Sequence, residues 1–226
     1  ARAIASEAQE QAIKQVLENR VALNLELNPK PRSPNGPALF DVVIVNHGVG
    51  HRFPGGARDL RDAWIEFELL DGEGQVIANS GTRYRTQQKE PDVHRLRVGL
   101  VDEQGQLLDT HGVGHFRTPA FDHTIGPHDA AIARYAVSPS VLGSVATARA
   151  YLHQRRLSPS FHAYSCEKSQ TSEGQKFINA TRAFAQIEVN PCVEQPILTL
   201  ATAELELQSP RAGTNWERLY WYGIAL

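Results

Sequence analysis

Apolar and acidic residues alternate along Ala63-Trp64-Ile65-Glu66-Phe67-Glu68-Leu69-Leu70, and the run ends in Asp71-Gly72-Glu73-Gly74. Side chains two apart share one face of a strand, so this stretch presents one greasy face and one charged face. The Asp-Gly turn folds it back onto Gln75-Val76-Ile77-Ala78 as a hairpin. The same plan returns at Leu96 to Val101, Asp102-Glu103-Gln104-Gly105 and Gln106-Leu107-Leu108. Leu23, Leu25 and Leu27 alternate with smaller or polar residues, and Leu39 to Asn46 is a β-branched run. Further strands are expected near Ala131–Val137, Val145–His153, Ala183–Val189 and Ile197–Leu207. NPKPRSPNGP, residues 28–37, is dense in turn formers and reads as a loop. Many short strands separated by polar turns predict a mainly β fold, an immunoglobulin-like β-sandwich.

The two ends follow a different period. Ile4, Ala8, Ala12 and Val16 form one stripe behind a capping box at Ser6-Glu7-Ala8-Gln9, which predicts a helix over 1–22. Thr214-Asn215-Trp216-Glu217 fits a second capping box, and Trp216, Leu219, Tyr220, Gly223 and Ile224 follow at helical spacing. The expected organisation is a linker helix at 1–22, a β-sandwich domain at 23–208, and the start of a helical region at 209–226. No initiator Met stands at position 1 and the final pattern stops mid-helix, so the chain reads as a piece of a longer, processed protein.

Composition excludes some classes. A formal charge of -2 gives no basic face for nucleic acid. No apolar run is long enough for a transmembrane segment. The two cysteines, Cys166 and Cys192, form no C-x-x-C-H, so this segment binds no haem covalently by itself. In an exported protein they are candidates for a disulfide, worth roughly 3–4 kcal/mol in the chain-entropy model. The alternative is two unrelated thiols.

Four of the nine histidines sit in a pentapeptide used twice: His47-Gly48-Val49-Gly50-His51 and His111-Gly112-Val113-Gly114-His115. The glycines argue against a helix that would set both imidazoles of one copy on one face. In an extended segment they stand roughly 13 Å apart. His47, His51, His111 and His115 together would suit Cu or Zn only if the two copies lay side by side. The other reading is structural: Asn46 bonds its own turn, and Gly48, Gly50 and Gly56 with Pro54 shape an irregular loop. His51 then braces that loop through a carbonyl or a carboxylate, with Asp59, Asp62 and Glu66 near enough in sequence to receive it. The copies differ in setting, since the first precedes its hairpin and the second follows one. His123 and His128 make 111–128 a histidine-rich region of surface character. Trp64 reads as core. Asp59/Asp62, Arg83-Tyr84-Arg85 and Arg155-Arg156 read as solvated or ion-paired faces. No G-x-S-x-G or H-E-x-x-H is present, and no catalytic residue is assigned.

The first copy lies in Val45-Asn46-His47-Gly48-Val49-Gly50-His51-Arg52-Phe53-Pro54-Gly55-Gly56, ahead of Trp64-Ile65-Glu66, Asp71-Gly72-Glu73-Gly74-Gln75-Val76 and Ser80-Gly81. This block resembles the C-terminal β module of exported multihaem c-type cytochromes of the cytochrome c-554-related kind. Their signature is N-x-G-x-G-H-x-x-P-T-G, followed by R-x-x-W-L-E and D-x-x-G-x-V…S-G. Asn46, Gly48, Gly50, His51, Pro54, Gly56, Trp64, Glu66, Asp71, Gly74, Ser80 and Gly81 match. Gly55 departs from the usual Thr, His47 occupies a variable position, and the haem-binding part is not in this chain. The resemblance implies haem c in a parent protein, electron transfer, and a periplasmic or extracellular location. It implies a haem-bearing region of the same chain, or a redox partner protein, as the neighbour of the sandwich, with helical repeats after it in some members. His51 is then also a candidate axial haem ligand, because a six-coordinate haem needs a second ligand from elsewhere. The functional expectation is a non-catalytic module that positions haem domains or docks a redox partner. The competing expectations are a metal-binding protein using the HGVGH histidines, and a carbohydrate- or surface-binding sandwich.

Overall fold

The computed structural model describes residues 2–17, 20–28, 36–86, 90–185, 188–207 and 215–226. Ten strands and five helices are described in chain order: α1 (Arg2–Leu17), β1 (Val21–Asn28), β2 (Ala38–Asn46), β3 (Asp62–Leu70), β4 (Val76–Ser80), β5 (His94–Leu96), β6 (Val98–Val101), β7 (Thr118–Asp122), β8 (Asp129–Val137), α2 (Pro139–Leu142), β9 (Thr147–Arg155), α3 (Pro159–Ser169), α4 (Ser172–Ala185), β10 (Leu198–Glu206) and α5 (Trp216–Ala225). The fold is mainly β, with a helix toward each end, as the alternation predicts.

Three antiparallel sheets form. One runs β1-β2-β8, and a larger one runs β10-β9-β3 with β4 and β5 sharing the far edge of β3. A β6-β7 ribbon completes the set. The first two sheets face each other as a sandwich. Phe40, Val42 and Ile44 from β2 meet Ile65, Phe67 and Leu69 from β3 and Ala148, Ala150 and Leu152 from β9 in one buried cluster. The period-2 pattern of β3 is thus realised, with its apolar row inward and Asp62, Trp64 and Glu66 outward. The outer face of the first sheet is covered by α5. Tyr222 donates to the Asp41 carboxylate at 2.7 Å, and Arg134 grips the same carboxylate at 2.6 and 2.7 Å. Burial alone would raise the Asp41 carboxyl, but these bonds outweigh it and hold it below its ordinary range.

Several expectations change. Helix α1 is described over Arg2–Leu17 and does not reach residue 22, because the chain from Val21 pairs with the whole of β2, Val21 opposite Asn46. Ser6 lies inside that helix rather than capping it. Asn215, not Thr214, caps α5, its side chain accepting from the amides of Glu217 and Arg218. Thr214 and most of the 28–37 loop fall outside the described residues. Gln106-Leu107-Leu108 makes only one bridge, Leu107 to Val101, and no full strand.

The stretch near Ala183–Val189 is not a strand. Ala183–Ala185 end helix α4, and Glu188–Asn190 have no regular structure. Helices α3 and α4 form an excursion between β9 and β10, which pair with each other all the same. Ser158 caps α3 and Pro159 opens it. At the base of the excursion, Gln195 both accepts from the Leu157 amide and donates to the Leu157 carbonyl. Cys166 and Cys192 are joined by a disulfide within it. Among the described residues no helix is long and apolar enough to cross a membrane.

Candidate functional site

Asn46 ends β2 with its side chain fully buried, and the first pentapeptide is folded around it. Its Oδ1 accepts from the Val49 amide at 3.0 Å, the self-turn expected of Asn. Its Nδ2 reaches the carbonyls of His51, Ile125 and Gly126 at 3.1, 3.3 and 2.9 Å. Phe53 and Ile125 exchange backbone bonds at 2.8 and 2.9 Å, and Phe53 plugs the end of the core. Arg58 pairs with Asp122 at 2.7 Å. The loop 46–58 is therefore sewn to the segment 122–128.

His51 takes none of the three carboxylates open to it. Its Nδ1 lies 2.8 Å from the Arg52 carbonyl. A carbonyl only accepts, so Nδ1 carries the proton and the neutral ring keeps its lone pair on Nε2. This is the tautomer of a metal-ligating imidazole oriented by a backbone carbonyl. The ring lies directly over Gly55, where a Cβ would overlap it. The absence of a side chain at Gly55 is what lets the imidazole rest there.

The second copy is built otherwise. His111 adopts φ 55, a left-handed conformation, and its Nδ1 donates to the buried Asp59 carboxylate at 2.5 Å. His115 is exposed in a turn in which its amide bonds the Gly112 carbonyl. His47 in the first copy sits edge-on to Trp221 of α5, ring centroids 5.2 Å apart. Among the described residues no three His, Cys, Asp or Glu side chains gather as a ligand set. Four imidazoles converging on Cu or Zn are thus not what this arrangement presents. Downstream, His123 stacks between Phe121 and His94.

The carboxylates expected on a solvated face are instead buried and spoken for. Asp62, 0 % exposed, accepts from Arg155 Nε at 2.7 Å, from Arg95 at 3.0 and 3.1 Å, and from the Tyr84 hydroxyl at 3.0 Å. Arg155 lies 4.7 Å from the ring centres of both Trp64 and Tyr84. Glu66 accepts from His153 Nε2 at 2.7 Å and pairs with Arg85 at 3.1 Å. With Nε2 donating, His153 Nδ1 accepts from the Thr199 hydroxyl at 3.0 Å. Arg85 also comes 3.3 Å from His153 Nε2, but two donors face each other there, so its bond belongs to Glu66. Burial alone would raise the Glu66 carboxyl; His153 and Arg85 hold it below its ordinary range. Glu90 closes the array by accepting from the amides of Gly81 and Tyr84. Gly81 has φ +83 and packs so tightly on β3 that a Cβ would strike the Ile65 carbonyl, so only glycine fits.

Trp64 is buried as expected, but on the outer face of β3, within this polar layer. Three guanidiniums thus balance three carboxylates beneath Tyr84. Tyr84 and Arg155 are parts of this second core, Arg85 pairs with it from an exposed position, and Arg83 lies on the surface. Its partners come from distant strands, and nothing local in the sequence announces Arg95, His153 or Thr199 as members. Chemically the array orients and stiffens: its carboxylates are saturated, and Thr199 is its exposed end.

No family model matches the chain, and no curated protein is recognisably similar in sequence. The fold does have a likeness among solved structures. A penta-haem cytochrome c552 from Thermochromatium tepidum superposes with a TM-score of 0.54 at 18% identity, over 86% of this chain and 41% of that one. This chain therefore spans well under half the length of that cytochrome. Northeast Structural Genomics Consortium target SoR45 aligns over 88% of this chain and 97% of its own at a TM-score of 0.32 and 9% identity, too little to carry an argument. The likeness to the cytochrome is one of fold.

Proposed function

We propose that this chain is a non-catalytic β-sandwich module of an exported multihaem cytochrome-like electron-transfer protein. It holds a haem-bearing region in place or docks a redox partner. The observation that carries the reading is the fold shared with a penta-haem cytochrome. Two features support it. The disulfide suits an oxidising compartment, the periplasm or the exterior. His51 offers an imidazole whose Nδ1 is fixed and whose Nε2 lone pair is held by no side chain among the described residues. As an axial ligand it would supply the sixth position of a haem iron presented by the neighbouring region.

The test is covalent haem. The full-length gene product, produced in a host with c-type cytochrome maturation, is expected to show a haem c spectrum as its pyridine haemochrome. It should also be exported, with the disulfide formed. A full-length product with no covalent haem overturns the reading.

A further inference from the structure

Beyond that reading, and independently of it, we infer that the cavity beside the first pentapeptide is a binding site for an organic carboxylate with an apolar body. The cavity is about 530 Å³, in the size range of small-molecule sites. It opens at the end of the sandwich. Val16, Val49 and Phe53 give it apolar walls, and Arg20, His51 and Arg61 give it polar ones. Among the described residues no carboxylate lines it.

Among the described residues no acid compensates the charge on those walls. Elsewhere in the molecule guanidiniums meet acids: Arg95 and Arg155 hold Asp62, and Arg134 holds Asp41. Among the described residues neither Arg20 nor Arg61 has an ion-pair partner. Among the described residues Arg61 makes one bond, from one terminal nitrogen to the Arg156 carbonyl at 3.1 Å, which leaves its other donors free for a ligand. Two guanidiniums against one apolar pocket are the natural receptor for a carboxylate, which accepts two parallel N–H bonds from each fork.

A second observation points to a ligand. Gln154 continues the inward row of Ala148, Ala150 and Leu152 to the end of β9 and lines the cavity. Its side-chain oxygen is buried with no hydrogen-bond partner among the described residues. A buried acceptor left unmet is unfavourable, and a donor arriving in the cavity relieves it. His51 Nε2 is a second acceptor on the same wall. The site therefore combines donors for a carboxylate with acceptors for a hydroxyl, and the apolar walls take the body between them.

A carboxylate can arrive on a free small acid or on the propionate of a tetrapyrrole, and two arms of one experiment tell them apart. In the first, 4-hydroxybenzoate and its neutral amide, 4-hydroxybenzamide, are titrated into this chain by calorimetry. In the second, protoporphyrin IX and its dimethyl ester are compared by fluorescence. The expected result is that the acid binds about tenfold or more tighter than its neutral counterpart in at least one arm. That preference should disappear in Arg20→Gln and in Arg61→Gln and persist in Arg156→Gln, whose side chain does not line the cavity. Each variant is first checked for unchanged thermal unfolding. A preference seen with 4-hydroxybenzoate assigns a free acid, and one seen only with protoporphyrin assigns a propionate. The inference is overturned if neither acid is preferred, or if the preference survives in both folded cavity variants.

Discussion

The two copies of HGVGH share every letter and almost nothing of their structure. The first hangs from Asn46, whose buried amide bonds one residue of its own turn and three remote or semi-remote carbonyls. Among the described residues the second has no such hub and is tethered through His111 to Asp59. In the first copy the leading histidine touches α5 and the trailing one curls onto Gly55; in the second the leading one is bonded and the trailing one is exposed. Five identical residues take their conformation from what flanks them: Asn46 and Gly55 on one side, Asp59 on the other. The repeated pentapeptide is not a repeated unit.

The comparison breaks most readily at its hub. Asn46→Ala should lower stability by about 3 kcal/mol in urea unfolding, because three carbonyls and an amide lose a buried partner. Thr110→Ala, at the matching position before the second copy, should change it by about 0.5 kcal/mol or less. A small loss at Asn46 would mean that the first copy is no better anchored than the second.

A pH experiment sharpens the contrast between the regions. Burial first, and the charge of His123 second, push His94 down to about 4. The unfolded chain takes up that proton near 6.5, before the folded chain does. This contribution to stability is therefore complete above about 6.5 and is lost as pH falls from there toward 4. The midpoint of thermal unfolding should drop across that window, and His94→Gln should flatten the drop. An unchanged slope in the variant would remove the stacked His94 and His123 imidazoles, which flank the second copy in sequence, as a source of acid sensitivity.

His111→Ala should cost about 1 kcal/mol, having stripped a buried carboxylate of its bond. His51→Ala should cost about 0.5 kcal/mol or less, since its one bond is to the adjacent carbonyl on an exposed ring. Equal losses at the two sites would erase the distinction. The smallest effect is expected from Gly55→Thr: little change in stability, but a displaced His51 ring, read as a shift of its Cε1–H resonance. An unmoved resonance would show that the ring does not depend on the open space at 55.

How far the sequence discloses this depends on the range of the forces. Strands β3, β8, β9 and β10 are legible because burial on one face writes a period of two into the chain, while β2, buried along nearly its whole length, is legible as a β-branched run. The turn role of Asn46 is legible because Val49 is three residues away. Its grip on Ile125 and Gly126 is not, because those carbonyls are fixed by tertiary pairing. The ion pairs of Asp62 fail for the same reason: Arg155 is separated from it by 93 residues and reaches it only because β3 and β9 are neighbours. Helix α4 is missed although Phe177, Ala180 and Phe184 stand at helical spacing; the sequence at its end reads as a strand instead, and Phe177 and Phe184 are 69% and 93% exposed. The Ser158-Pro159 start of α3 was the available signal, a cap followed by Pro.

The disulfide has a consequence for how the molecule opens. Both of its cysteines lie inside the excursion between β9 and β10, and the Gln195–Leu157 clasp closes that excursion at its base. The ring of covalent bonds therefore encloses no part of the sandwich. Reduction should release the α3–α4 hairpin as a separate opening unit, with faster amide exchange in both helices and little change in β3 or β9. The crosslink guards an appendage, and the sheets on either side keep their pairing on their own.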